Sequence, residues 1–188
     1  MGLAAEVAVA ASVERRSLAA TSIHRAYKEL GGGDGVGGGG DGAGGEEEEA
    51  RASAANATQV QLVALGNPHF SLEETRRFAQ LTNGLRKAPG VRVVLTVGRE
   101  VREAAARAGC EAAIEAFGGT IVSDTCWCML REPVVPTDTR TLVTNSAKYA
   151  HYAPGLVGKR VRFASLEGCV AAAVSGAVPR DERPRWIV

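Results

Sequence analysis

Aromatic residues make up only 5% of this 188-residue chain, and histidine occurs only 3 times. No apolar run comes near the roughly 20 residues that a bilayer-crossing helix needs, so no membrane span is expected. Charge of one sign is lacking too. The 22 Lys and Arg are matched by 21 Asp and Glu. A near-neutral chain has no electrostatic reason to seek nucleic acid or an acidic membrane. The start, Met1-Gly2-Leu3-Ala4-Ala5-Glu6, has no basic n-region of a secretory signal and places Glu6 where a myristoylation motif has Ser or Thr. No CxxC pair and no Cys–His spacing of a closed zinc site is present. Four cysteines in a chain with no export signal point to free thiols or metal ligation, not to a disulfide framework. A cytoplasmic location is the expectation.

Glycine is abundant and unevenly spread: 11 of the 23 lie between Gly31 and Gly45. The acidic run Glu46-Glu47-Glu48-Glu49 follows. Glycine maximises chain entropy and like charges repel, so a disordered insertion is expected over 31–57. A phosphate-cradling loop would need a strand before it and Lys-Ser/Thr after it, and neither is there. Before the insertion, Leu18, Ile23, Ala26, Tyr27 and Leu30 fall on one face of a helix around Ser17 to Leu30. The chain thus divides into an N-terminal helical segment (1–30), the insertion (31–57) and a regular domain (58–188).

In that domain an apolar strand, Val60 to Leu65, runs into Gly66-Asn67-Pro68-His69-Phe70. Ser71 and Glu74 form a capping box for a helix that turns Leu72, Phe78 and Leu81 inward and fades near Asn83-Gly84. Strands follow at Val91 to Val97, Thr120 to Ser123, Leu142 to Thr144 and Val161 to Ala164. Helices are expected over Arg99 to Ala108, Cys110 to Phe117, from Ser146 to a stop at Pro154-Gly155, and, capped by Ser165, over Leu166 to Ser175. The stretch 131–138, with Pro133 and Pro136, is irregular. Alternating strand and helix predicts an α/β fold, a mostly parallel sheet with helices on both faces. Ligands of such sheets lie at the carboxyl ends of the strands. The turns at Asn67-Pro68-His69, Cys126, Asn145-Ser146 and Ser165-to-Cys169 all follow strands and can share that edge.

Several of these residues have a chemical and a bland reading. Cys126-Trp127-Cys128 is a C-x-C, either a ligand pair or one packed thiol and a bystander. Cys169 sits near a helix N-terminus, where a thiolate is favoured, or is a small apolar residue of an alanine-rich helix. Cys110 reads as structural. Asn145, Ser146 and Lys148 present amide, hydroxyl and ammonium donors suited to a carboxylate or phosphate, or else a capped helix with a solvated lysine. His69 is a candidate polar or proton-relay group, though lone histidines are more often structural. Ser146 lacks the surroundings of a nucleophile elbow.

Four blocks, taken in order, resemble the aconitase X family. They are Val63-Ala64-Leu65-Gly66-Asn67-Pro68-His69-Phe70-Ser71-Leu72-Glu73-Glu74, then Ser123-Asp124-Thr125-Cys126, then Thr144-Asn145-Ser146-Ala147-Lys148-Tyr149-Ala150-His151-Tyr152, and Ser165-Leu166-Glu167-Gly168-Cys169-Val170-Ala171-Ala172-Ala173. The family comprises hydro-lyases, among them dehydratases of cis-3-hydroxy-L-proline and of mevalonate 5-phosphate. The resemblance implies an aconitase-like α/β domain and an iron–sulfur cluster held by three cysteines, with Cys126 and Cys169 as two of them. It implies a small anionic substrate met by Asn145, Ser146 and Lys148. A cluster iron would act as Lewis acid on the leaving hydroxyl while a base removes the α-proton. It also implies a small subunit, fused or separate, that carries the proton-abstracting serine. The likeness covers the C-terminal half of a family large subunit, so the third cysteine is expected in an N-terminal half that residues 1–58 do not resemble. Where some relatives have cysteine after the glycine of the first block, this chain has Asn67. The expectation is a fragment or truncated paralogue of such a hydro-lyase, inactive alone. The rival is a non-catalytic α/β folding or interaction module.

Overall fold

The structure is a computed structural model that describes residues 59–178. The helix expected around Ser17 to Leu30, the Gly/Glu-rich insertion and the Arg180-to-Trp186 tail lie outside the described residues. The regular part begins where the sequence pattern turns apolar. Strands β1 (Leu62–Phe70), β2 (Arg92–Val97), β3 (Thr120–Ser123), β4 (Thr141–Thr144) and β5 (Arg160–Phe163) form one five-stranded sheet in the order β3-β2-β1-β4-β5. Every neighbouring pair is parallel. The helices are α1 (Leu72–Thr82), α2 (Arg99–Arg107), α3 (Cys110–Phe117), α4 (Ala147–Val157) and α5 (Leu166–Ser175), with a 3-10 turn at Trp127–Met129.

β1 is the central strand, and Leu62, Val63, Ala64 and Leu65 are all fully buried. An unbroken apolar run is what a strand covered on both faces requires. Alternate side chains go to opposite cores. Val63, Leu65, Val93, Leu95 and Val143 face α1, α3 and α5, where Phe78, Ile114, Phe117, Ala172 and Ala173 fill the space. The rings of Phe78 and Phe117 meet edge to face at 6.0 Å. Leu62, Ala64, Val94 and Leu142 face Trp127, Tyr149 and Ala153 on the other side. The sheet is therefore doubly wound, with helices on both faces as expected from the alternation. The chain winds outward from β1 to β3, then restarts on the other side of β1 with β4. The carboxyl ends of β1 and β4 flank the point where the winding reverses, the usual ligand crevice of this architecture.

Three local outcomes differ from the sequence expectation. On α1 the fully sequestered side chains are Thr75, Phe78, Ala79 and Thr82, while Leu72 and Leu81 pack at the margin. The threonines are tolerated because their hydroxyls donate to Ser71 O at 2.8 Å and Phe78 O at 2.9 Å. The capping box forms, with Glu74 N–H donating to Ser71 Oγ at 3.2 Å and Ser71 N–H to Glu74 Oε2 at 2.9 Å. Helix α4 does not stop at Pro154 but runs on to Val157. Proline forfeits one helical hydrogen bond. The buried Ala153 and the half-buried Val157 hold the last turn against the core, and the left-handed Gly158 closes it by donating to Pro154 O at 3.0 Å. Finally, β1 extends past Gly66 to Phe70 instead of ending at Leu65.

Candidate functional site

The extension of β1 builds the site. Leu65 pairs with Leu95 and Phe70 with Val97, so Gly66 to His69 stand opposite Thr96 alone. The surplus residues are forced out of the ladder as a wide bulge, and bulges re-aim side chains at such edges. Gly66 makes the bulge possible. Its φ is +84°, and a Cβ there would collide with the Thr96 carbonyl oxygen. Thr96 Oγ1 donates into the same kink, to Gly66 O.

The bulge meets the start of α4. Ser146 is the N-cap, accepting from Tyr149 N–H at 3.2 Å while its own hydroxyl donates to Asn67 O at 2.6 Å. One residue thus caps the helix and ties β4 to β1. Between them lies a cleft of about 90 Å³, walled by Gly66 to Phe70, Glu74, Asn145 and Ser146. Asn67 is only 7% exposed, and neither polar atom of its side chain has a partner among the described residues. Asn145 is half-buried and Lys148 exposed. Of the residues expected to hold an anion, Asn145 and Ser146 come together in this cleft, and Lys148 stands outside its wall, further along α4. Two larger grooves, of about 350 and 360 Å³, lie beside Val93 and Pro133 and beside Gln80 and Cys110. Neither touches a residue of the expected site.

His69 reaches from the bulge to the loop after β3, its Nε2 lying 2.7 Å from Thr125 O. A carbonyl only accepts, so Nε2 carries a proton and Nδ1 is left for other partners. The preceding residue, Asp124, has a left-handed φ of +56°, a conformation that Asp tolerates better than most residues. Its carboxylate accepts from Arg99 N–H at 2.9 Å and Arg99 Nε at 2.6 Å. Those bonds hold its pKa below the ordinary value, with the backbone donor as the first cause and the guanidinium next. The loop carrying Cys126 is thereby fixed to both β1 and the start of α2.

Trp127 fixes it more firmly. The indole is fully buried, donates to Leu65 O at 2.7 Å and lies 5.3 Å from the Tyr149 ring. The residues on either side, Cys126 and Cys128, are half-buried free thiols. Cys128 N–H donates to Cys126 Sγ at 3.4 Å. The Tyr149 hydroxyl is buried without a partner among the described residues. Burial first, and then the neighbouring Cys128, push the phenol up to about 12. Cys169 lies in the opposite setting, on the first turn of α5 and fully buried in the apolar core. Burial, helped by the nearby Glu167 carboxylate, pushes its thiol far above the ordinary range, so it is held protonated. Cys110 is buried at the start of α3.

Among the described residues, no three Cys, His, Asp or Glu side chains come together to hold a metal. All four cysteines are described and none is paired. The described residues therefore do not by themselves fit a complete cluster site. Sequence reasoning missed three features that shape this edge: the unsatisfied Asn67 side chain, the Trp127 anchor and the Asp124–Arg99 clasp. A polar residue between glycine and proline after an apolar strand was the available signal for Asn67. The other two depend on contacts across the sheet and leave no local trace.

Comparison with known proteins accounts for this arrangement. The family described as "Aconitase X third domain" matches residues 60–175. The chain is 56% identical over 133 residues to a cis-3-hydroxy-L-proline dehydratase of Pseudomonas aeruginosa, covering 71% of this chain and 23% of the relative. It is 51% identical over 117 residues to a cis-3-hydroxy-L-proline dehydratase of Hypocrea jecorina, covering 62% and 20%. Against the phosphomevalonate dehydratase large subunit of Methanothermobacter thermautotrophicus the identity is 42% over 98 residues, covering 52% and 23%. The match thus spans less than a quarter of each of these relatives. Aconitase X of Thermococcus kodakaraensis, in its holo-form crystal structure, superimposes with a TM-score of 0.52 at 27% identity, covering 65% of this chain and 32% of that one. With a family match over most of the described residues and a fold that superimposes on a solved member, the chain belongs to the aconitase X family and carries its third domain.

Proposed function

We propose that this chain supplies the third-domain wall of a hydro-lyase active site, serving dehydration of a small hydroxy acid of the cis-3-hydroxy-L-proline type. The observation that carries it is the cleft at the winding reversal, where Asn67, His69, Asn145 and Ser146 from two separate sequence blocks line one space. Identity to the two hydroxyproline dehydratases exceeds that to the phosphomevalonate enzyme, which favours the former substrate class over a mevalonate 5-phosphate type.

In this reading Asn145 and the first turn of α4 hold the substrate carboxylate, where helix amides and the dipole favour negative charge. Lys148 draws the anion in from its exposed position. His69, with Nε2 committed to Thr125 O, offers Nδ1 as a polar contact or proton relay. Cys126 and Cys169 are assigned to an iron–sulfur cluster whose remaining ligands come from outside the described residues. Such a cluster supplies Lewis acidity when bound. The proton-abstracting group belongs to a small subunit, fused or separate, and an N-terminal half completes the site. By itself the chain is expected not to turn over substrate. The deep burial of Cys169 as a thiol favours the other reading, a non-catalytic α/β module.

Anaerobic expression with iron and sulfide, alongside the small subunit and N-terminal half of a relative, separates the two. Visible absorbance and bound iron are expected, and Cys126→Ala and Cys169→Ala should each remove most of both. Alanine keeps α5 apolar at position 169, so loss of colour is not loss of fold. A colourless assembly, or colour indifferent to both substitutions, would sink the ligand assignment.

A further inference from the structure

A buried carboxamide with no partner on either polar atom is costly, and native structures usually give such a group a partner. Asn67 is in that position: 7% exposed, with neither Oδ1 nor Nδ2 paired among the described residues. Its carbonyl is used, accepting from Ser146 Oγ at 2.6 Å, and the side chain is the unsatisfied part of the residue. Because both atoms lack partners, a flipped amide is unsatisfied in the same way. The cleft it lines, about 90 Å³, has room for about three waters, or for the polar edge of one small molecule.

The two atoms ask for different things. Nδ2 donates and Oδ1 accepts. A phosphate or a plain carboxylate would satisfy Nδ2 and leave Oδ1 facing negative charge. A ligand with an acceptor and a donor side by side satisfies both. We propose that Asn67 sets the specificity of this cleft, its carboxamide reading the carboxylate oxygen and the adjacent N–H of an α-amino acid. This rests on the reading of the cleft as the substrate site, and it adds the residue that selects an amino acid over other anions. Specificity built on a buried hydrogen-bonding group is strong, because the wrong ligand leaves that group unpaired.

The test is a titration of the 15N-labelled 188-residue chain with L-proline, cyclopentanecarboxylate and inorganic phosphate. Cyclopentanecarboxylate keeps the ring and the carboxylate but lacks the N–H. L-proline is expected to move the Asn67 side-chain amide signals together with the backbone signals of Asn145 and Ser146. The other two should bind at least about tenfold more weakly there. Asn67→Leu, similar in size and without polar atoms, should raise the melting temperature and abolish the proline response. An equal response to proline and cyclopentanecarboxylate would overturn the proposal, as would unmoved Asn67 signals. So would an Asn67→Leu chain that melts lower while still answering to proline. No turnover is needed. Binding of this kind in an assembly that never dehydrates anything would remove the hydro-lyase reading and leave this one standing. Dehydration whose KM is indifferent to Asn67→Leu would do the reverse.

Discussion

Replacing Trp127 by alanine is expected to cost about 3–5 kcal/mol of folding stability, the range for deleting a buried aromatic ring. The ring is wholly enclosed by the second core, against Tyr149. Its indole N–H is also the short partner of Leu65 O at 2.7 Å, so the substitution leaves that buried carbonyl only the long contact from Thr96 Oγ1 at 3.4 Å. Trp127→Phe keeps most of the bulk and should cost less, about 1–3 kcal/mol for the lost hydrogen bond. Urea unfolding followed by far-UV circular dichroism gives both values. The local consequence matters as much as the global one. With the anchor gone, Cys126 and Cys128 should react faster with a thiol reagent, while Cys169, held by a different core, should not. Equal acceleration at all of them would mean general loosening and not a freed loop.

Gly66→Ala is the second large effect, and it acts through the backbone. A residue other than glycine at φ +84° carries a cost of about 1–2 kcal/mol. Here the added methyl also meets the Thr96 carbonyl oxygen, which belongs to the sheet and cannot swing aside. A total above about 3 kcal/mol is expected, with poor soluble yield as the practical sign. Gly90→Ala is the control. Its φ of +81° is similar but no neighbour lies within 4 Å, so only the conformational part, about 1–2 kcal/mol, should appear. If the two variants melt alike, the close approach of β1 to β2 at the bulge is not what demands glycine at 66.

The fold was readable because its signals are local. Unbroken apolar runs mark covered strands, and Ser71, Ser146 and Ser165 each cap the helix that follows. The alternation of the two states the parallel sheet. What stayed hidden depends on partners distant in the chain. Leu65 and Phe70 look like a strand end and a turn until their pairing with Leu95 and Val97 exposes a bulge. Pro154 reads as a stop, and only the packing of Ala153 and Val157 carries the helix past it. The candidate site was legible in part. Its strands and turns fell on the expected edge, and Asn145 and Ser146 met there. The separation of the thiols was not legible, because the depth of Cys169 is set by α1 and the sheet, not by the alanines around it. Asn67 appeared in sequence as part of a turn on that edge and as a departure from some relatives, and its significance is that its carboxamide is buried without a partner among the described residues.

If residues 60–175 form a working wall of a dehydratase site, they should stand in for their counterpart in a relative. The most direct measurement is an exchange: the corresponding segment of the Pseudomonas aeruginosa cis-3-hydroxy-L-proline dehydratase is replaced by residues 60–175 of this chain, and dehydration of that enzyme's substrate is followed. The expected kcat/KM is within about tenfold of the parent, falling at least a further tenfold with Asn145→Ala in the exchanged segment. A chimera that folds, binds iron as the parent does and yet dehydrates nothing would contradict it.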